Sequence, residues 1–90
     1  MSRPERVAVL LLTQDECGFC EQGKQMLDRL AREFPLAVET RDLASEEGRA
    51  LAERGGVMLP PGLFLDGQPF SYGRVSERRL RRELRRRLPD

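Results

Sequence analysis

The first apolar run is Val7-Ala-Val-Leu-Leu-Leu12, six consecutive residues rich in branched side chains. An unbroken run of that length predicts a strand buried on both faces, at the centre of a sheet. After Thr13–Glu16 the period changes. Cys20, Gly23, Leu27, Leu30, Ala31 and Phe34 recur at spacings of three and four, which predicts one face of a helix, ended by Pro35. Leu36 to Arg41 alternates weakly, with Leu36, Val38 and Thr40 on one side, and reads as a second strand. Ser45 is suited to N-cap a short helix carrying Ala50 and Leu51. Glu46 and Glu47 fall in its first turn, where the helix dipole favours anions, and Gly55-Gly56 stops it. Leu63-Phe64-Leu65 is another short apolar run, Asp66-Gly67 is a strong hairpin signal, and Gln68–Tyr72 reads as the returning strand. Pro69 cannot donate to a sheet ladder and confines that strand to an edge. Ser76 then caps a last helix with Leu80, Leu84 and Leu88 in one stripe and arginine on every other side.

The order β-α-β-α-β-β-α predicts an α/β fold. A right-handed crossover joins the first two strands in parallel, and the hairpin adds the other two. The two fully apolar strands belong in the middle of a four-stranded mixed sheet, with helices on both faces. Ninety residues are enough for a single domain, 1–90, with a small core; such a chain buries about 60–65% of its unfolded surface. At 39% hydrophobic and 34% charged residues, it is too apolar for disorder and too polar for a membrane protein. Arg3 and Arg6 imitate the start of a signal peptide, but the apolar stretch after them is short and leads into Gln14, Asp15 and Glu16, so no signal is expected. The absence of histidine removes the commonest general base and the commonest metal ligand.

The net charge of +1 hides an asymmetry. Residues 1–73 hold eight Lys/Arg against twelve Asp/Glu, and residues 74–90 hold eight Arg against three acids. Arg78, Arg79, Arg81, Arg82, Arg85, Arg86 and Arg87 surround the leucine stripe. No aromatic residue interleaves with them, so base stacking is not supported. A solvated amphipathic helix is expected here, partly neutralised by Glu77 and Glu83, rather than a nucleic-acid surface.

Both cysteines lie in Cys17-Gly18-Phe19-Cys20, directly after the first strand and at the start of the first helix. A thiol at a helix N-terminus faces unpaired backbone N–H groups and the positive end of the dipole, and both favour the nucleophilic thiolate. Cys17 sits at the helix mouth, Cys20 lies one turn inward within disulfide reach, and Gly18 leaves the backbone free for a tight entry. Two other readings stand beside redox chemistry. The pair can be half of a zinc site, which would need carboxylates or a dimer to reach four ligands, or two structural thiols. The position after strand one of a βαβ pattern favours redox activity. Asp15, Glu16 and Glu21 oppose the thiolate, and Lys24 is placed to pair with Glu21.

With these residues in place, the chain resembles small thioredoxin-fold proteins of the glutaredoxin-like type over residues 7–88. Three segments carry the resemblance. They are the apolar strand leading into Cys17-Gly18-Phe19-Cys20, the stretch Gly56–Gly67 with Pro61 six residues before the Gly turn, and Tyr72-Gly73-Arg74-Val75-Ser76 before the last helix. The resemblance implies a thioredoxin-like fold and a thiol–disulfide oxidoreductase. It makes Cys17 the attacking cysteine, Cys20 the resolving one and Pro61 a cis-proline beside them. Phe19, Pro60 and Pro61 are then the substrate-contacting residues.

Four departures matter. The dipeptide between the cysteines is Gly-Phe, neither the Gly-Pro usual in thioredoxins nor the Pro-Tyr usual in glutaredoxins. Leu11 stands where thioredoxins carry a buried acid. Ser71-Tyr72-Gly73-Arg74 replaces the Gly-Gly-x-Asp turn with which glutaredoxins hold glutathione. Pro60, with no N–H, precedes the cis-proline, where an extended substrate would pair with the backbone. The expected partners are a disulfide-containing protein or small-molecule thiol substrate, and a reductase or low-molecular-weight thiol as electron donor. No cofactor, metal, membrane or nucleic acid is expected, and the protein is expected to be a cytoplasmic monomer. The alternative is a non-catalytic interaction module of the same fold that uses the basic helix.

Overall fold

The computed structural model describes residues 6–89. Its elements are β1 (Val7–Thr13), α1 (Gly18–Leu30), β2 (Leu36–Asp42), α2 (Glu46–Gly55), β3 (Gly62–Leu65), β4 (Gln68–Tyr72) and α3 (Glu77–Arg87). One sheet has the order β2-β1-β3-β4. β1 and β2 are parallel, and the β1–β3 and β3–β4 pairs are antiparallel. The two most apolar strands are central and the Pro69 strand is an edge, as the patterning predicts. Arg3 lies outside the described residues; Arg6 is exposed just ahead of β1.

The register decides which side chains share a face. Val9 opposes Leu65 and Leu11 opposes Leu63. These four, with Val7, pack against Met26, Leu27 and Leu30 of α1, Leu80 and Leu84 of α3, and Val75. Leu10 opposes Phe64 on the other face, where the end of α2 closes on the Phe64 ring. A Cβ at Gly55 would lie 2.8 Å from Phe64 Cζ, so only glycine fits there. Asp66 and Gly67 have φ of 49° and 81°, the pair of positive values that a two-residue hairpin turn requires. A bulge in the β3–β4 ladder leaves Phe70 as the extra residue, packed against the core. Ser45 and Ser76 cap α2 and α3 through their hydroxyls, as expected, and Gly56 ends α2 with φ 67°.

Four expectations are corrected. β1 is buried on one face at Val7, Val9 and Leu11, but on the other only Leu12 is buried and Ala8 is exposed, because a single short helix covers that side. α1 stops at Leu30, not at Pro35, and Ala31 is an exposed cap. The bonds Arg32 N–H to Arg29 O and Glu33 N–H to Leu30 O tighten the chain into i→i−3 turns, because Phe34, the residue before Pro35, is disfavoured in α conformation. Met26, absent from the predicted stripe, joins the core in place of Ala31. Val38 is 40% exposed, at its place on an edge strand of the sheet. Ala50 is exposed on α2 as well.

The arginines of α3 divide into two groups. Arg81 bridges Glu33, after α1, to Glu77, and Arg29 of α1 also reaches Glu77. Hydrogen bonds from Arg81 hold both carboxyls below the usual glutamate range. Glu83 is pulled down to about 2 by hydrogen bonds from Arg86 and Arg87. Arg87 also pairs with Asp66 in the hairpin, and Arg79 lies over the Phe70 ring at 5.1 Å. Among the described residues Arg78, Arg82 and Arg85 have no carboxylate within ion-pair distance. One side of α3 therefore carries arginines that no carboxylate among the described residues pairs, while the other side clamps it to α1 and to the hairpin.

Candidate active site

β1 leaves the sheet at Thr13 and turns through residues 14–16 into α1. Glu16 adopts φ 53°, a left-handed conformation in the turn that delivers Cys17 to the helix. Cys17 is the N-cap of α1, with extended backbone (φ −120°, ψ 106°). Its Sγ accepts the Cys20 N–H at 3.2 Å, the bond that serine or aspartate oxygen makes at ordinary N-caps. Cys17 and Cys20 form a disulfide, with Cα atoms 5.2 Å apart. The two sulfurs differ in access. Cys17 is half-buried, whereas Cys20 is 1% exposed beneath the helix.

The sheet brings distant segments to this end. Leu12 opposes Gly62 across β1–β3, and Gly62 opposes Tyr72 across β3–β4. The end of β1, the start of β3 and the end of β4 therefore lie side by side. The Pro60–Pro61 peptide bond is cis, as the resemblance implies. Pro61 is fully buried and Pro60 half-buried, so of the two prolines only Pro60 reaches solvent. The Gly73 N–H donates to Leu59 O (3.1 Å) and to Pro61 O (2.8 Å), which ties the segment after β4 to the proline loop.

Four large apolar side chains are exposed here: Phe19, 48% exposed, and Met58, Leu59 and Tyr72. Phe19 stands out on the sequence by its place between the cysteines. Met58, Leu59 and Tyr72 carry no such signal, because an apolar loop residue looks the same in sequence whether it is buried or presented. Gly73 was legible only as part of a family segment; its double hydrogen bond is a tertiary fact. Around the cysteines, Asp15, Glu16 and Glu21 are exposed acids. Lys24 pairs with Glu21 at 3.4 Å, as its spacing suggests. Among the described residues no three of His, Cys, Asp and Glu gather where they could hold a metal ion, and no helix is long and apolar enough to cross a membrane.

The chain is similar to known proteins in sequence and in fold. Uncharacterized proteins of Mycobacterium tuberculosis and Mycobacterium bovis are each 37% identical over 89 residues, which is 96% of this chain and 88% of theirs. A thioredoxin of Methanocaldococcus jannaschii is 26% identical over 83 residues, covering 92% of this chain and 98% of its own. A mutant thioredoxin from Halobacterium salinarum superposes with a TM-score of 0.69 at 28% identity, over 90% of this chain and 74% of that one. Glutaredoxin 1 from Francisella tularensis shares the fold, with a TM-score of 0.54 at 19% identity over 86% of this chain and 93% of its own. The glutaredoxin-like domain (DUF836) matches residues 8–85. With its thioredoxin-like fold and a cysteine pair at the mouth of α1, the chain belongs to the glutaredoxin-like domain (DUF836) family.

Proposed function

We propose that the protein is a thiol–disulfide oxidoreductase that reduces disulfides through a mixed disulfide on Cys17. The observation that carries this reading is the unequal access of a bonded pair: Cys17 reaches solvent at a helix N-terminus, while Cys20 lies buried beside it. In the reduced protein, unpaired N–H groups and the dipole of α1 favour the thiolate at Cys17. That thiolate attacks one sulfur of the substrate. A Cys17–substrate bond forms, the substrate S–S bond breaks, and the other sulfur leaves with the electron pair and takes up a proton. Cys20 then loses its proton and attacks Cys17 Sγ. The internal disulfide forms and the second substrate thiol departs. Two electrons and two protons pass from the dithiol to the substrate. A cytoplasmic reductase or low-molecular-weight thiol restores the dithiol.

Phe19, two residues after Cys17, and Pro60, the proline that reaches solvent, are assigned as contact surfaces for the substrate, with Pro61 buried behind them. Pro60 has no N–H, so a substrate is held here more by apolar contact, with Phe19 and Leu59, than by strand-like pairing. The test is a disulfide-reduction assay with dithiothreitol as donor, on wild type, Cys17→Ser and Cys20→Ser. Cys17→Ser should lose turnover. Cys20→Ser should accumulate a mixed disulfide at Cys17, visible by intact-protein mass spectrometry. Retained turnover in Cys17→Ser, or an adduct on Cys20 in wild type, would overturn the assignment.

A further inference from the structure

An open groove of about 550 Å³ runs between α1 and the start of α3. Gln22 and Met26 of α1 form one side and Arg74 through Arg78 the other. Its position relative to Cys17 follows from two contacts. Val75 seats on α1 beside the groove, since a Cβ at Gly23 would lie 3.6 Å from Val75 Cγ2. Arg74 follows Gly73, whose N–H is held by the carbonyls of Leu59 and Pro61. Gln22 is five residues beyond Cys17 on the same helix, roughly 7.5 Å along its axis at ~1.5 Å per residue. The groove therefore opens at the rim of the cysteine site.

Its charge is one-sided. Arg74 and Arg78 are both exposed, and neither has a carboxylate within ion-pair distance among the described residues. Glu77, the one acid of the groove, is already engaged by Arg29 at 2.9 Å and Arg81 at 3.0 Å. Asp15, Glu16 and Glu21 near Cys17 are acidic instead. A disulfide carried to Cys17 thus meets negative charge around the cysteines and two uncompensated cations in the adjoining groove.

We infer that this groove is a specificity subsite for an acidic segment of a polypeptide disulfide, held by Arg74 and Arg78. The inference rests on the redox reading above and names its substrate class. The occupant is a polypeptide because the groove is lined from Gln22 onward, roughly 7.5 Å along α1 from Cys17, and the exposed Phe19, Met58 and Leu59 offer apolar footing. An extended chain advances ~3.3–3.6 Å per residue, so a carboxylate two or three residues from the substrate cysteine spans that distance.

The experiment uses three short peptides, each a mixed disulfide with thiopyridine, whose release is followed by absorbance. They carry aspartate, serine or lysine at the second and third positions from the cysteine. Single-turnover rates of the reduced protein are compared at low salt and at about 1 M salt, where the Debye length is ~3 Å. The aspartate peptide should react roughly two- to thirtyfold faster than the serine peptide at low salt, the range that two exposed ion pairs supply. The advantage should vanish at high salt. The Arg74→Glu/Arg78→Glu variant should invert the order in favour of lysine. Arg54→Glu, a charge reversal on α2, should keep the aspartate preference. Equal rates for aspartate and serine peptides, or a preference that survives the double reversal, would overturn the groove assignment while leaving the redox reading intact. Failure of the wild type to open any of the three peptides would defeat both.

Discussion

Gly73 links the fold to the site, and replacing it with alanine separates a conformational cost from a steric one. Its φ is +78°, and no atom lies within 4 Å of the position a Cβ would take. The methyl group therefore meets open space, and the whole penalty is that of holding an L residue in the left-handed region, about 1–2 kcal/mol. Part is offset because alanine narrows the unfolded ensemble by about 0.4–1 kcal/mol. The alternative, rotating the segment to relieve φ, would remove the Gly73 N–H from both Leu59 O and Pro61 O and leave an unpaired donor, at about 1–3 kcal/mol. Holding the geometry is the cheaper course. Gly73→Ala should thus lose about 1 kcal/mol in urea denaturation of the reduced protein, with Tm lower by about 4–8 °C for a chain of this size. Gly73→Asn should lose less, because asparagine tolerates the left-handed region. An alanine variant as stable as wild type, or an asparagine variant no better than alanine, would refute the assignment of the cost to backbone conformation.

Three further outcomes are expected. Asp66 accepts from Ala8 N–H at 2.9 Å and from Arg87 at 2.9 Å at a positive φ, so Asp66→Ala should cost about 2–3 kcal/mol by thermal or urea unfolding; a loss below about 0.5 kcal/mol would show the turn to be indifferent to it. Glu83 has its folded pKa lowered from 4.5 to about 2, so its pairing with Arg86 and Arg87 supports the fold fully above about pH 4.5 and is lost as pH falls toward 2. Glu83→Gln should flatten that part of the stability–pH curve relative to wild type, and superimposable curve shapes would argue against the pairing. The Cys17–Cys20 couple, at a helix start but among acidic neighbours, should equilibrate at about −200 to −270 mV, between glutaredoxin and thioredoxin values; a potential near about −120 mV, that of a strong oxidant, would mean that Asp15, Glu16 and Glu21 do not offset the helix.

By itself the sequence determined the order of elements, their caps and turns, and the place of the cysteine pair. These depend on local physics. Ser45 and Ser76 cap helices because their hydroxyls reach nearby N–H groups, Asp66-Gly67 turns because both accept positive φ, and Cys17 starts a helix because its Sγ accepts the Cys20 N–H. Even Pro69 at a sheet edge follows from a missing N–H. Tertiary structure decided what covers each face. Periodicity tells that Ala8 and Leu10 alternate with Val9 and Leu11, but not that α1 and α3 pack on one side of β1 while the short α2 lies on the other. It marks Ala31 as readily as Met26, because the choice between them depends on where α1 stops before Pro35. The site was legible only at its cysteines, Phe19 and, through the family resemblance, the two prolines. Met58, Leu59, Tyr72, Gly73 and Arg74 join it through the register of three strands, which sets Leu12, Gly62 and Tyr72 side by side. The arginines of α3 look equivalent in sequence. Only the packed helix, with Glu33, Glu77, Glu83 and Asp66 beside it, separates those consumed in holding the fold from Arg78, Arg82 and Arg85, which face outward, because an ion pair depends on distance in space rather than on spacing along the chain.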